Sequence, residues 1–307
     1  MGYSVGVIIH NEERNIGRLL GRLETELQGD SRLERVVVVS SASTDRSDSI
    51  VREAAARWPA VRLVVETERR GKASAINLFL DEARSSEACI LLSGDVLPDP
   101  GALAKLLDAL ADPGVGMAAG RPVPLVSPHG IAGRIARLQW DLHHEVSLRS
   151  PKLGEVVAFR NVVDRLPADT AVDEASLEAI LCARGFRLAY VPDAIIRNKA
   201  PDNVRDLLKQ RRRIAAGHGH LRSTRGYSVS TTRTALVAPA VLRFLAREPS
   251  RVGTAAAAAT LEAWGRLLGW WDLRIRGKNP YVWEIATSTK DPGDATPPRP
   301  PAPRDDA

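Results

Sequence analysis

Arg35-Val-Val-Val-Val-Ser-Ser-Ala-Ser-Thr-Asp45 turns abruptly from a valine run into an unbroken polar segment. Helical spacing follows, over Asp45–Arg57. A short, continuous β-branched run suits a strand buried on both faces, which is the environment of a parallel sheet covered by helices. Ser43, Thr44 and Asp45 carry the short oxygen-bearing side chains that cap a helix start. Outward from this unit the pattern repeats. Val5–Ile9, Val61–Val65 and Ala88–Leu92 are similar runs, and Glu12–Leu27 and Lys72–Arg84 have helical periodicity. In the first of these helices Ile16, Leu19, Leu20, Leu23 and Leu27 form one apolar stripe to lay against a sheet. Strand–helix alternation at this pitch predicts an open α/β fold with a mainly parallel sheet.

The second half is less regular. Gly116–Val123 and Glu155–Phe159 are expected strands, and Ile131–Ser150 an expected helix. A helix over Ser176–Arg184 ends at Gly185, a C-cap residue, and a strand over Phe186–Val191 closes at Pro192. Asn203–Ala216 is a basic helix. Between Thr231 and Leu273 two further helices are expected, holding Leu236–Leu245 and the Ala255–Ala259 run that leads to Trp264, Trp270 and Trp271. The division is a catalytic unit over 1–225, a helical extension over 226–288, and a Pro-rich tail over 289–307 too poor in apolar residues to pack.

The chain has 307 residues, 44% of them hydrophobic and 26% charged, enough for one large α/β domain with an appendage. Its charge of +6 is local: nine Lys/Arg and two Asp lie between Arg197 and Arg225. That concentration points to an anionic partner or to a solvated helix face. Lys209–Arg213 has no interleaved aromatics and no nucleic-acid recognition motif beside it, so nucleic acid is not an expected partner. Cys89 and Cys182 belong to no metal or redox spacing and are expected to be small buried residues in a reducing compartment. Tyr3–Ile9 opens without a basic n-region or signal-peptide core, and no uncharged apolar stretch is long enough to span a bilayer. The expected location is cytoplasmic.

Ligands of open parallel sheets bind beyond the carboxyl ends of the strands. In this chain those ends are His10-Asn11-Glu12-Glu13, Ser40–Asp45, Glu68-Arg69-Arg70-Gly71-Lys72 and Ser93-Gly94-Asp95. All four are polar directly after hydrophobic runs, as expected of four loops lining one pocket. Helix capping is an alternative explanation for Ser43 and Asp45 alone. It does not account for the Arg69–Lys72 loop, whose cations and glycine at a helix start suit phosphate. A GxGxxG after the first strand and a GxxxxGK[ST] are both absent, which disfavours a dinucleotide enzyme and a P-loop NTPase.

Val7-Ile-Ile-His-Asn-Glu-Glu13 resembles the opening motif of family-2 glycosyltransferases, and Ser41-Ala-Ser-Thr-Asp45 resembles the motif of their second strand. Gly71-Lys-Ala-Ser-Ala-Ile-Asn77 is similar to their Gly-Lys segment, and Leu92-Ser-Gly-Asp-Val-Leu-Pro-Asp-Pro100 to their Asp-x-Asp motif. Asp173-Glu174 with Leu177, Gly185 and Tyr190-Val-Pro-Asp193 resembles the acidic acceptor-side motif and the strand after it. Gln210-Arg-Arg-Arg213 resembles Gln-x-x-Arg. The resemblance runs in family order over residues 3–220. It implies a GT-A type (Rossmann-like) fold with a C-terminal helical extension, and a hexosyltransferase-like, inverting activity. The donor would be a nucleoside-diphosphate sugar and the cofactor Mg²⁺ or Mn²⁺. A glycan or lipid-linked sugar, taking the donor on a hydroxyl or phosphate, would be the acceptor.

By that resemblance Asp95 holds the metal, Lys72 and Arg213 face the diphosphate, and Glu174 or Asp173 serves as general base, the other of the pair capping its helix. His10, Asn11, Glu12, Ser40, Ser41, Asp45, Arg70, Gly71, Gly94 and Gln210 complete the donor site. Three positions depart from the family pattern. The Asp expected at the end of the second strand is Ser40 or Ser41, the first Asp of Asp-x-Asp is Ser93, and the aromatic after Gln-x-x-Arg is Ile214. A metal would then rest on one carboxylate, phosphate oxygens and water, with His218 or His220 as an added ligand unless Gly217–His220 is only a surface turn. Trp264, Trp270, Trp271 and Trp283, near Arg266, Arg274, Arg276 and Lys278, suit a peripheral membrane contact or packing against the catalytic unit or a second subunit. The competing function is a non-catalytic sugar-nucleotide or glycan-binding protein of this fold.

Overall fold

The computed structural model describes residues 1–125, 130–277 and Tyr281. Its first half runs β1 (Tyr3–Ile9), α1 (Ile16–Leu27), β2 (Leu33–Ser41), α2 (Ser47–Arg57), β3 (Val61–Glu66), α3 (Lys72–Glu82), β4 (Ala88–Ser93), β5 (Val96–Pro98) and α4 (Ala102–Ala109). The second half continues with β6 (Val115–Leu125), α5 (Ile131–Ser147), β7 (Val157–Arg160), α6 (Asp173–Ala183), β8 (Arg187–Lys199), α7 (Val204–Arg225), α8 (Thr234–Arg247) and α9 (Val252–Arg274). The strands form one sheet in the order β3-β2-β1-β4-β7-β6-β8-β5. β3, β2, β1 and β4 are mutually parallel, whereas β7 is antiparallel to both β4 and β6.

The valine runs are explained by the two cores. Val36 and Val38 join the leucines of α1 on one face of the sheet, while Val37 and Val39 join Ile76 and Phe79 of α3 on the other. Side chains alternate along a strand, so a strand covered on both faces must be apolar at every position. Gly6 is the exception with a steric cause: a Cβ there would stand 2.6 Å from the Phe79 ring.

Several elements differ from the sequence expectations. The turn Glu12–Asn15 precedes α1, since the Asn15 and Ile16 N–H groups both bond the Glu12 carbonyl at 2.9 Å. β5 and α4 are additional elements. The strand expected to close at Pro192 continues to Lys199, because the β6–β8 register shifts between Gly120 and Arg121 and pairs them with Val191 and Ile195. That bulge absorbs Pro192, which has no N–H for a ladder. Gly217–His220 is no surface turn but lies inside α7, where a Cβ on Gly217 would stand 2.8 Å from Val172. Cys89 is buried, but Cys182 is only half-buried.

Helices α8 and α9 dock on α5 and α7 through a core of their own that includes Ile135, Leu138, Leu207, Phe244 and Leu261. α9 approaches α7 closely at Gly265 and Gly269, where a Cβ would lie 2.8 Å from Arg211 Cβ and 2.7 Å from the Arg212 carbonyl. Among the described residues no helix is long and apolar enough to cross a membrane. Trp283, Lys278 and the Pro-rich 289–307 segment lie outside the described residues.

Candidate active site

The carboxyl ends of β1 and β2 are joined by a hydrogen-bond network. The Asn11 N–H donates to Ser43 Oγ at 3.1 Å, the Glu12 N–H to Ser47 Oγ at 2.7 Å and the Glu13 N–H to Asp45 Oδ2 at 3.0 Å. In return the Thr44 N–H donates to Asn11 Oδ1 at 2.8 Å, and His10 Nδ1 lies 2.6 Å from the Ser41 carbonyl oxygen. Asp45 also accepts the Ser47 N–H at the start of α2, at 2.9 Å, so its carboxylate is engaged in shaping the loops. Ser40 donates to Ser43 Oγ at 2.9 Å. Two buried oxygens here have no partner: Ser41 Oγ, and Oε2 of Glu66, whose Oε1 accepts from Ser74 Oγ at 2.6 Å. Ser41 and Glu66 are paired across β2 and β3.

A charged centre occupies the adjoining stretch. Lys72, the first residue of α3, reaches the first turn of α6, with Nζ 2.8 Å from Glu174 Oε1 and 3.7 Å from Asp173 Oδ2. α3 also fixes the approach to α6: the Asn77 side chain donates to the Leu166 carbonyl at 3.0 Å and accepts the Leu166 N–H at 2.7 Å. Both acids sit where the positive end of the helix dipole favours negative charge. Burial opposes the Lys72 ammonium, but the charges of Glu174 and Asp173 outweigh it and hold its pKa above the ordinary lysine range. For Glu174, burial alone would raise the pKa, yet the charge and hydrogen bond of Lys72 bring it down to about 2. Asp173 is raised, chiefly by burial, against the pull of Lys72. Its Oδ1 is buried without a partner. The capping position of α6 is Val172, which has no side-chain acceptor, and both acids lie just inside the helix.

Asp95 is half-buried in the turn between β4 and β5, and Gly94 before it is pressed between strand and loop: a Cβ there would stand 2.7 Å from Ile9 Cγ2 and 2.9 Å from Glu12 Cγ. Glu155, just before β7, stands among the same charges. Its carboxyl is pushed up to about 7 by burial first, then by Asp95 and Glu174, against Lys72 and a hydrogen bond with the Asn198 side chain. Glu178, buried in α6, accepts the Leu153 N–H at 2.7 Å and so holds the segment that carries Glu155.

The basic run on α7 is divided among its faces. Arg211 lies 4.0 Å from Glu262 and Arg212 is ion-paired with Asp272, both on α9. Arg213 is held near the acids: burial lowers its pKa, and the charges of Asp173 and Glu174 offset that only in part. Gln210, three residues earlier, is half-buried on the same face. This run is therefore largely engaged within the protein and is not one solvated face.

The structure thus brings Lys72, Asp95, Asp173, Glu174 and Arg213 together, with the β1 and β2 loops beside them. It sets Arg70 apart, exposed and paired with Glu68 at 3.4 Å, and leaves Gly71 against the Tyr281 carbonyl, 2.8 Å from where a Cβ would be. His220 is taken by Asp169 at 3.0 Å, and burial pushes His218 down to about 3, leaving it neutral. Among the described residues no three His, Cys, Asp or Glu side chains form a cage for a metal. The donor set beside Asp95 is nonetheless one of hard oxygens. Asp95 and Glu155 repel one another at the site, a repulsion that a divalent cation would relieve. Glu66, Glu155 and Asn198 are site residues the sequence did not single out.

The sequence matches the model described as Glycosyl transferase family 2 over residues 4–147, and that described as Glycosyl transferase family group 2 over residues 89–271. It has no match among curated proteins. A mannosyltransferase from Pyrobaculum calidifontis, solved with GDP-Man and Mn²⁺, is 26% identical with a TM-score of 0.59, over 94% of this chain and 83% of that one. Glucosyl-3-phosphoglycerate synthase from Mycobacterium tuberculosis, solved with Mn²⁺, UDP-Glc and phosphoglyceric acid, shares the fold at 20% identity. Its TM-score is 0.53, over 75% of this chain and 81% of that one.

Proposed function

The chain belongs to glycosyltransferase family 2, and from that premise we propose an inverting transfer of a sugar from a nucleoside-diphosphate sugar to an acceptor hydroxyl or phosphate. The observation that carries this reading is the acid pair at the start of α6, held by Lys72 and flanked by Asp95 and Arg213. An inverting displacement needs a base on the acceptor side and charge neutralisation on the leaving diphosphate. Glu174 is the base. It is ionised, and its side chain is 22% exposed against 3% for Asp173, so an acceptor can reach it. Asp173 supports Lys72 from beneath. Arg213 takes the diphosphate through its planar fork. Ser41 and Glu66, with their unpartnered oxygens, take the base of the nucleotide.

Mn²⁺ or Mg²⁺, when bound, neutralises charge on the departing diphosphate, and Asp95 would hold it. The mannosyltransferase bound to GDP-Man and Mn²⁺ supports this donor class. The test is a donor screen with GDP-Man and UDP-Glc, in Mn²⁺, Mg²⁺ or chelator, reading nucleoside-diphosphate release and the anomeric configuration of the product. Cation-dependent release that vanishes in Asp95→Ala, with inversion, is expected. A retained anomeric configuration would sink the inverting mechanism, and binding without turnover would favour a non-catalytic sugar-nucleotide protein.

A membrane-borne acceptor is favoured by one observation. On α9, Trp264, Leu267 and Trp271, with Ile275 just past its end, recur at helical spacing and are 53%, 51%, 47% and 57% exposed, so about half of each side chain is left uncovered. Arg274, in the last turn of α9, flanks this stripe, whereas Arg266 is paired with Glu262 at 2.8 Å and Arg276 with Asp272 at 3.9 Å. Such a face suits the headgroup region of an anionic bilayer. Sedimentation with anionic vesicles should fall on Trp264→Ser with Trp271→Ser; equal sedimentation of parent and variant would remove the membrane from the account.

A further inference from the structure

β4 and β7 pair antiparallel, with Ala88 opposite Arg160 and Leu91 opposite Val157. Carried two residues past the last bonded pair, this register sets Glu155 across from Ser93. From the other side, β5 and β8 pair Val96, the residue after Asp95, with Asn198. Asn198 is 6% exposed, bonds Glu155 through its side chain, and keeps a buried Oδ1 with no partner. Asp95, Glu155 and Asn198 thus present two carboxylates and an amide oxygen from the β4–β5 turn, the start of β7 and β8, a donor set for a hard divalent cation.

The backbone at Glu155 points the same way. Its φ is +65°, a left-handed conformation costly to any residue but glycine, and Gly154 stands one place earlier where it would be free. The acid is kept at the strained position, and the Glu178 bond to the Leu153 N–H holds the segment there.

We propose that Glu155 is a ligand of the divalent cation, supplying from the neighbouring antiparallel strand the second carboxylate that Ser93 does not provide, with Asn198 Oδ1 beside it. This rests on the glycosyltransferase reading above. Cation sites that use a single protein acid depend on phosphate and water for the remaining ligands. A second acid lets this chain hold the cation more tightly before the donor is complete.

The test reads metal binding rather than turnover. Mn²⁺ is titrated into the full chain with GDP and, separately, with UDP, and free Mn²⁺ is followed by its paramagnetic resonance signal. Melting midpoints report folding. Glu155→Gln and Asp95→Asn should each weaken Mn²⁺ binding about tenfold or more, the scale that even outer partners of metal sites carry. Adding Ser93→Asp to Glu155→Gln should recover most of the loss, because the acid returns to the facing strand position. Parent-like Mn²⁺ affinity in Glu155→Gln, with affinity lost in Asp95→Asn, overturns this inference and leaves the functional reading intact. A loss that Ser93→Asp does not restore, accompanied by a lowered melting midpoint, assigns Glu155 to structure and also overturns it. A parent chain that binds no Mn²⁺ with either nucleotide removes both this inference and the metal half of the functional reading.

Discussion

The loops after β1 and β2 and the centre beside β4 and β7 meet where Gly94 lies against Ile9 and Glu12, yet they are stabilised in opposite ways. In the loops, polar groups satisfy one another: backbone N–H groups of Asn11, Glu12 and Glu13 are each received by a side chain after β2, and that of Thr44 by Asn11. At the centre, Lys72, Asp173, Glu174, Asp95 and Glu155 crowd like and unlike charges together, and pKa values move in both directions. The loops fix a shape before any ligand arrives. The centre gathers four carboxyl groups around Lys72 and Arg213, an excess of acid that, on the proposed reading, a cation would compensate.

Glu174→Gln tests that contrast most strongly. It keeps the shape of the site and removes the proton acceptor, so sugar transfer should fall about 10²–10⁴-fold, the range of general-base catalysis. Donor affinity, measured by calorimetry with a nucleoside diphosphate, should hardly move. An equal loss in Asp45→Asn, whose carboxylate shapes the loops, would break the distinction between the two regions.

Lys72→Met comes next. Breaking a largely buried ion pair costs about 3 kcal/mol, because Glu174 is left without its cation. The folded pKa of Glu174 is depressed to about 2, so the stability due to the pair is complete above the ordinary carboxylate pKa and is lost as pH falls from there toward about 2. In Lys72→Met that acid-induced loss should be smaller, and the acidic limb of the rate profile should move to higher pH as Glu174 regains a higher pKa. Chemical denaturation at pH 7 and pH 4 measures the first effect, and initial rates across pH the second.

The two regions also differ in how far the sequence disclosed them. Parallel strands deliver their carboxyl ends to one edge, so the polar residues after Ile9, Val39 and Leu92 could be assigned to one edge of the sheet from the hydrophobic runs alone. Glu155 escaped because β7 is antiparallel: its start, not its end, reaches that edge, and strand direction is not written in a five-residue pattern. Glu66 escaped because it closes β3 and reads as its last alternating residue; its importance lies in Ser41 across the ladder. Gly217 and Gly219 within α7 misled in the same way. Gly217 looked like a turn because its cause, the approach of Val172, comes from a segment distant in sequence. Local periodicity reports burial well, and reports partners poorly.

Glu66→Gln gives the smallest expected effect and the finest test. Glu66 is 8% exposed, with Oε1 engaged by Ser74 and Oε2 unpartnered. An unpartnered buried carboxylate oxygen is costly in the free protein, so the change to Gln should leave the melting midpoint unchanged or raise it. If that oxygen receives an N–H of the nucleotide base, the same substitution replaces an ionised acceptor by a neutral one. A hydrogen bond to a charged group contributes about 1.5–3 kcal/mol, so the donor KM should rise about tenfold or more while kcat stays near the parent value. The split between KM and kcat decides the matter, since the base lies far from the reacting carbon. A fall in kcat at constant KM would move Glu66 from the preformed shape to the charged centre, and the boundary between the two regions would have to be redrawn.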